Sequence, residues 1–362
     1  MLFLSLLFSS SYVFSGAASE MADQDTVRHK RNGILFLPIL FYTPETKMAG
    51  GAAFNYYFRE SGSEQSSRPS TIMPVFIYTQ NKQIIVELNG DLYWNNEKMN
   101  LRGAVGYVKF PNKFYGIGHN TTEDDEENYT PRNVYFSLNY QLQVRKEIYL
   151  GAHYDFTHSE IVEVDENGLL AEKDISGSEG GTISGAGLFV NRDTRDNIFC
   201  PSCGGFYQLF VNFYRGLVGS DYDFERYNLD VRQYIPLLSI HIFALQGYVN
   251  IMKGNPPFQN VSLLGGDSLM RGYYEGRYRD KNMFVFQIEH RMPVWWRFGM
   301  AGFLGFGEVS DNISHFALKE LKHSVGFGVR YSLDPQEKLN VRLDLAFGED
   351  TSGFYITLFE AF

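Results

Sequence analysis

Lys338-Leu-Asn-Val-Arg-Leu-Asp-Leu-Ala-Phe-Gly348 alternates without a fault, and Ser352-Gly-Phe-Tyr-Ile-Thr-Leu-Phe-Glu-Ala-Phe362 follows it at strand length. Leu339, Val341, Leu343, Leu345 and Phe347 share one face; Asn340, Arg342, Asp344, Ala346 and Gly348 share the other. A period of two is the signature of a strand with two unlike faces. One such strand fits a soluble sheet as well as a membrane. Repetition along nearly the whole chain, behind an export-like leader, points to an all-β fold: a transmembrane antiparallel β-barrel, apolar toward lipid and polar toward its lumen.

The same alternation recurs at 323–333, 282–294, 134–144 and 227–232, with Asp334-Pro335 closing the first of these. Further strands are expected near 34–43, 47–60, 71–80, 83–94, 101–110, 148–162, 182–193, 205–217, 240–252 and 297–309. The count is about 16 strands, an even number as in bacterial barrels. If Phe362 ends on the periplasmic side, the long segments 111–131, 163–181, 253–280 and 310–322 fall outside and the short ones near 145–147, 235–239 and 294–297 fall inside. The polar stretch 60–70 fits this scheme less well.

Composition agrees with a barrel. Of 362 residues, 31 are Phe and 24 are Tyr, the residues that barrels place as girdles at both membrane surfaces. After the first residues no apolar run reaches the roughly 20 residues of a spanning helix. Leu2 to Phe14 is apolar, and Gly16-Ala17-Ala18 supplies small residues for cleavage, although no Lys or Arg follows Met1. The expected organisation is a signal peptide over 1–18, a short segment over 19–32 and a barrel over 33–362. The net charge of −10 argues against a nucleic-acid partner. The acidic run Glu123 to Glu127 reads as a solvated loop, with divalent-cation or lipopolysaccharide bridging as the minority reading.

Two cysteines stand in Cys200-Pro-Ser-Cys203. A redox pair would need a strand-to-helix setting that is not visible here, so a local disulfide bracing a turn is expected, with two free thiols as the alternative. No further ligands accompany them, and no metal or cofactor is expected. Histidines 119, 153, 158, 241, 290, 315 and 323 are scattered, with no Ser/His/Asp arrangement, so an enzyme is not expected. Glu87, Asn89, Asp91, Asp230, Arg232, Arg330, Arg342 and Asp344 fall on the polar face and would line a pore. Phe354, Ile356, Leu358 and Phe362 share one face, and Phe362 is expected to act as an assembly signal.

The most distinctive stretch runs from Leu263 to Asn282, with Gly265, Gly266, Gly272 and Gly276 and with Arg271, Arg277 and Arg279, ahead of a strand carrying Gln287-Ile-Glu-His-Arg291. A surface cap and an inward-folded loop both fit those residues. The stretch resembles the bacterial surface antigen family, the barrels of BamA/TamA-type outer-membrane insertases and two-partner-secretion translocators. Met270-Arg271-Gly272-Tyr273 stands where that family has (Val/Leu)-Arg-Gly-(Phe/Tyr) on its sixth extracellular loop, and Arg192-Asp-Thr-Arg-Asp-Asn197 looks like its Asp-Thr-Arg-Asp turn. The resemblance implies that the loop enters the lumen and that Arg271 pairs with Glu289. It also implies a Gram-negative outer membrane, with lipid and lipopolysaccharide around the barrel, and a part in inserting or translocating protein or lipid. Unfolded outer-membrane proteins or an accessory protein would be partners; a passive pore or a structural subunit is the alternative. Two departures stand out. Gly305 replaces the family's acid on the thirteenth strand, and the sequence is expected to lack the family's polypeptide-transport-associated (POTRA) domains.

Overall fold

The computed structural model describes residues 32–59, 69–237, 241–334 and 338–362. The expected leader 1–18, all of 19–32 except Asn32, and most of the polar connection 60–70 lie outside the described residues. The strands in chain order are β1 Asn32–Thr43, β2 Lys47–Phe58, β3 Ser70–Thr79, β4 Ile84–Trp94, β5 Met99–Lys109, β6 Glu127–Arg145, β7 Ile148–Val164 and β8 Gly180–Asp193. They continue as β9 Gly204–Tyr214, β10 Phe224–Leu237, β11 His241–Gly254, β12 Asn282–Trp295, β13 Phe298–Ser310, β14 Lys322–Asp334, β15 Leu339–Phe347 and β16 Ser352–Leu358. Each pairs antiparallel with its neighbours in sequence, and β1 meets β16, so the sheet closes as a 16-stranded barrel. Closure gives every strand a partner on both sides, as a bilayer requires.

The short turns 95–98, 146–147 and 296–297 lie with the longer 194–203 turn at the end where β16 finishes, and the long loops 110–126, 165–179, 255–281 and 311–321 gather at the other. Irregularities sit where the residues demand them. The β6–β7 ladder shifts register at Pro131 and the β12–β13 ladder at Pro293, since proline brings no N–H to a ladder. Inside the longest loop, Ser262–Leu264 pairs with Tyr278–Asp280 as a small hairpin. That loop turns into the barrel: Leu264, Leu269, Met270 and Tyr273 are buried together with the inward-facing Met283, Val285 and Val309.

The outer face is apolar, with Phe286 on β12, Leu304 on β13, Phe327 on β14 and Leu345 on β15 all exposed. The inner face departs from expectation. Buried polar residues line it from β4 round to β15, among them Glu87, Asp230, Gln246, Gln287 and Asp344. An apolar cluster covers much of β1 to β3, with Ile39, Ala49, Ala53, Met73, Val75 and Ile77, and runs on through Ile85 of β4, Ala104 and Val108 of β5 and Tyr135 of β6; Leu37 and Phe41 pack against it. β1 is thus apolar on both faces, since Ile34, Phe36 and Leu40 point outward. Strands buried on both faces read as continuous apolar runs rather than alternating ones.

A second departure lies after β16. Phe362 does not continue the lipid-facing row of Phe354 and Ile356. The strand ends at Leu358, Phe359 takes a left-handed conformation with φ 64°, and the chain turns inward. Phe359 stacks on Phe199 at 4.8 Å between ring centres, and Phe362 is buried beside Tyr234 and Ala244. Together with the 198–203 turn, these residues narrow that end of the lumen.

The closure is uneven. β1 pairs with β2 along its whole length, from Asn32 opposite Phe58 to Thr43 opposite Lys47. Among the described residues it meets β16 at Tyr42 opposite Ile356 alone, with the Tyr42 and Phe354 rings 5.6 Å apart nearby. Pro38 sits midway along β1, a residue tolerated at a strand edge. In an antiparallel strand alternate N–H groups face opposite neighbours. Hydrogen exchange on the barrel in micelles should therefore split β1: amides facing β2 protected, those facing β16 exchanging at least about tenfold faster. Uniform protection along β1 would show a fully laddered seam.

Candidate functional site

Inside the barrel the long loop delivers one arginine to a cluster of charges. Met270 has φ 57° and Gly272 φ 109°, so the chain turns twice around Arg271 and drives its side chain toward the wall. Glycine is required at 272: a Cβ there would stand 3.0 Å from the Phe347 carbonyl carbon and 3.1 Å from the Gly348 nitrogen. Gln287 Oε1 accepts from the Met270 N–H at 3.0 Å, while its Nε2 donates to the Ser268 carbonyl at 2.9 Å, pinning the turn to β12.

Arg271 is 1% exposed. Its Nη2 lies 2.5 Å from Glu289 Oε2 on β12, and its Nη1 lies 2.5 Å from Asp344 Oδ2 on β15. The Phe303 ring of β13 lies under the guanidinium, 3.5 Å from its centre, and adds a cation–π contact. The network spreads from there. Arg291 Nε is 2.6 Å from Glu289 Oε1, and Arg330 bonds to Asp344 and lies 2.8 Å from Glu360 Oε2. Arg342 reaches Asp267 of the same loop at 3.0 Å and Asp344 at 3.5 Å. Four guanidinium groups (271, 291, 330, 342) thus face four carboxylates (267, 289, 344, 360), and the cluster is neutral in sum. Ionised groups removed from water cost several kcal/mol each unless paired, and this pairing meets that requirement.

Gly305 is occupied from the loop side. A Cβ there would meet Met270 Sδ at 2.9 Å and Ser324 Oγ at 2.8 Å, so the loop fills the space that the family's acid would need. Asp344, two strands further on, supplies the second carboxylate. Sequence reading placed Asp344 on the inner face but did not connect it to Arg271, because residues 73 positions apart become neighbours only through loop entry and barrel register. Glu360 was missed for the same reason as the inward turn of Phe362. Arg291 also donates through Nη2 to the Phe362 carbonyl at 2.9 Å, joining the last residues to the cluster.

The rest of the motif is equally engaged. The Gly272 N–H donates to Tyr355 Oη on β16 at 3.0 Å, and Tyr273 Oη donates to the His323 carbonyl at 2.8 Å while accepting from the Glu349 N–H at 2.9 Å. Arg277 and Arg279 do not enter the charge cluster. Arg277 lies over Tyr115 and Tyr278, and Arg279 donates to the Gly276 and Lys113 carbonyls over Phe114. In the 192–197 turn, Asp193 holds Arg195 through Nε at 2.9 Å and Nη2 at 2.8 Å.

The expected Cys200–Cys203 disulfide is not formed; both thiols are free. The turn sends them apart. Cys200 points inward, with Sγ 3.8 Å from Glu360 Oε1 and 3.3 Å from Asn340 Nδ2, while Cys203 is exposed. Asp196 shapes the turn by accepting the Ser202 and Cys203 N–H groups at 2.8 and 3.1 Å. Burial, and then the neighbouring Glu360 charge, push the Cys200 thiol up to about 12.

A family model described as the Omp85 superfamily domain matches residues 55–359. No curated protein sequence matches the chain. Among solved structures, the chain is similar to BamA from Haemophilus ducreyi lacking POTRA domains 1–3, with a TM-score of 0.65 and 13% identity over 91% of this chain and 70% of that one. It is similar to CdiB from Acinetobacter baumannii, with a TM-score of 0.57 and 10% identity over 90% of this chain and 59% of that one. For CdiB from Escherichia coli the TM-score is 0.55 at 8% identity, covering 88% of this chain and 62% of that one. The chain thus spans less than two thirds of either CdiB chain, and identities this low speak for the fold.

Two measurements probe the site. Arg271→Ala and Glu289→Ala should each destabilise the folded barrel by about 3–5 kcal/mol in urea titrations. The double variant should cost less than their sum by about 1–3 kcal/mol, since the two act as a unit. Additive losses would place Arg271 outside the cluster. A maleimide probe near neutral pH, without reductant, should label Cys203 rapidly and leave Cys200 unmodified in the folded protein.

Proposed function

The chain belongs to the Omp85 superfamily, and on that ground we propose that this outer-membrane β-barrel assists the insertion or transfer of protein, or of lipid, through the seam between β1 and β16. The observation that carries this reading is the seam itself: β1 is laddered to β2 from end to end and meets β16 at Tyr42 opposite Ile356 alone. Backbone groups left without a ladder on a strand edge are a template for an incoming strand. The apolar side chains on both faces of β1 suit that use, since a client strand brings one apolar face with it.

The lumen supports this reading over a passive pore. The Arg271 loop fills its middle, and the 198–203 and 359–362 segments narrow one end. In this proposal the end where β16 finishes faces the periplasm, and the long loops face outward. Unfolded outer-membrane proteins are the partners the seam would serve, with an accessory protein delivering them.

Depletion of the protein followed by outer-membrane proteomics tests the role in cells: a broad loss of other barrels is expected, whereas an unchanged proteome with altered solute uptake would favour a pore. In vitro, Tyr42→Cys and Ile356→Cys in a Cys200→Ser, Cys203→Ser background lock the seam by a disulfide. The oxidised barrel in liposomes should insert a urea-unfolded client no faster than empty liposomes do, and reductant should restore the rate. Full activity in the oxidised form would rule out the seam as the route.

A further inference from the structure

The inward loop touches both flanks of the seam. On one side the Gly272 N–H donates to Tyr355 Oη of β16 at 3.0 Å, and Arg271 holds Asp344 of β15. Three residues later the Glu275 N–H donates to Glu45 Oε1 at 2.9 Å, in the turn that ends β1. That turn is itself tied down, because Asn81 Nδ2 and Gln83 Nε2 donate to the Glu45 carbonyl at 2.7 and 3.0 Å. Residues 271–275 therefore bridge, from inside, the two strands whose own ladder is reduced to Tyr42 and Ile356. The bridge brings two carboxyl groups together. Glu275 is 3% exposed, and neither of its carboxyl oxygens has a hydrogen-bond partner. Its side chain lies against the loop backbone at Gly266.

We infer that Glu275 is a proton-binding site that controls the seam: protonated, it lets the loop clasp β1 to β16, and ionised, it repels Glu45 and releases the β1 flank. A carboxylate buried without a partner is strongly disfavoured, whereas a carboxylic acid is neutral. The groups facing Glu275 agree. From the β1–β2 turn comes Glu45; from the loop come Asp267, Tyr274 and the Arg279 guanidinium; from β16 comes the Tyr355 hydroxyl near Glu45 and Asp267. Two of these are like charges. Among the described residues the cation facing it is Arg279, which is held by the Gly276 and Lys113 carbonyls. Burial first, and Glu45 next, push Glu275 well above the usual carboxylate range, and burial also raises Glu45. The sign follows: the clasped state holds a proton that the open loop gives up. Its stabilisation is complete below the ordinary Glu value of about 4.3 and is lost as pH rises through the raised value. This inference rests on the seam being the working part of the barrel. Its test uses no client, so a failure of the insertion reading leaves the result standing.

The experiment is a conductance record of the intact barrel in planar bilayers, with EDTA present, from about pH 5 to pH 9. The wild-type conducting fraction should rise at least severalfold across that range, because the clasped state binds the proton more tightly than the open one. Glu275→Gln, which mimics the protonated acid, should stay at the low value throughout. Glu45→Gln, which removes the facing charge, should move the wild-type step to lower pH and carries the test if Glu275→Gln fails to assemble. Oxidised Tyr42→Cys, Ile356→Cys protein should lose the response. A flat wild-type profile, an unchanged slope in Glu275→Gln, an unmoved step in Glu45→Gln, or a response that survives the seam disulfide would each overturn the inference.

Discussion

The structure depends on bringing Arg271 out of water. A guanidinium at this depth is tolerable only with carboxylates on both of its edges, and Glu289 and Asp344 come from strands separated around the wall by β13 and β14. The pairing therefore does more than neutralise charge. It fixes β12 and β15 relative to each other across the lumen and commits the loop to the interior. Arg291, Arg330 and Arg342 then find their own partners on the same acids and on Asp267 and Glu360. Because the acids are shared, the cluster behaves as one body: losing a member strands its neighbours rather than removing one bond.

Against that rigid side stands a loosely closed one. The wall from β4 to β15 has long ladders and buried ion pairs. The seam side has a short last strand, an apolar first strand carrying Pro38, and a single register pair. Stability is distributed so that an opening confined to β1 and β16 leaves the remaining ladders intact. Local openings of low free energy are where moving parts are found. The loop from 271 to 275 belongs to both regimes, anchored by charge at Arg271 and held by backbone hydrogen bonds at Gly272 and Glu275.

Much of the fold was legible in the sequence because a strand with one face in lipid and one in a polar lumen must alternate. Leu339 to Phe347 does so cleanly, and β15 runs over those residues. The strand count and the parity of the loops rest on that signal, while the family resemblance rests on Met270 to Tyr273 and the 192–197 turn. It weakens where the environment is symmetric. β1 from Ile34 to Tyr42 is apolar on both sides, so alternation could not say which face was inside, and a polar lumen was assumed there. The site was partly legible. Met270 to Tyr273 marked the loop, and Glu289 lay on the next strand. Asp344 and Glu360 required knowing how far strands distant in sequence stand apart across the lumen. Cys200 and Cys203 illustrate the opposite error: spacing suggested a bond, and the direction of each side chain decided against it.

The division of the inner wall has a consequence for water. The side lined by Asp230, Gln246 and Gln287 offers hydrogen-bond partners to water, whereas the side lined by Ile39, Met73 and Ile77 offers none. The strand next to the seam sits in a medium of low polarity on both sides, where an unpaired backbone group is held most strongly by whichever strand reaches it first.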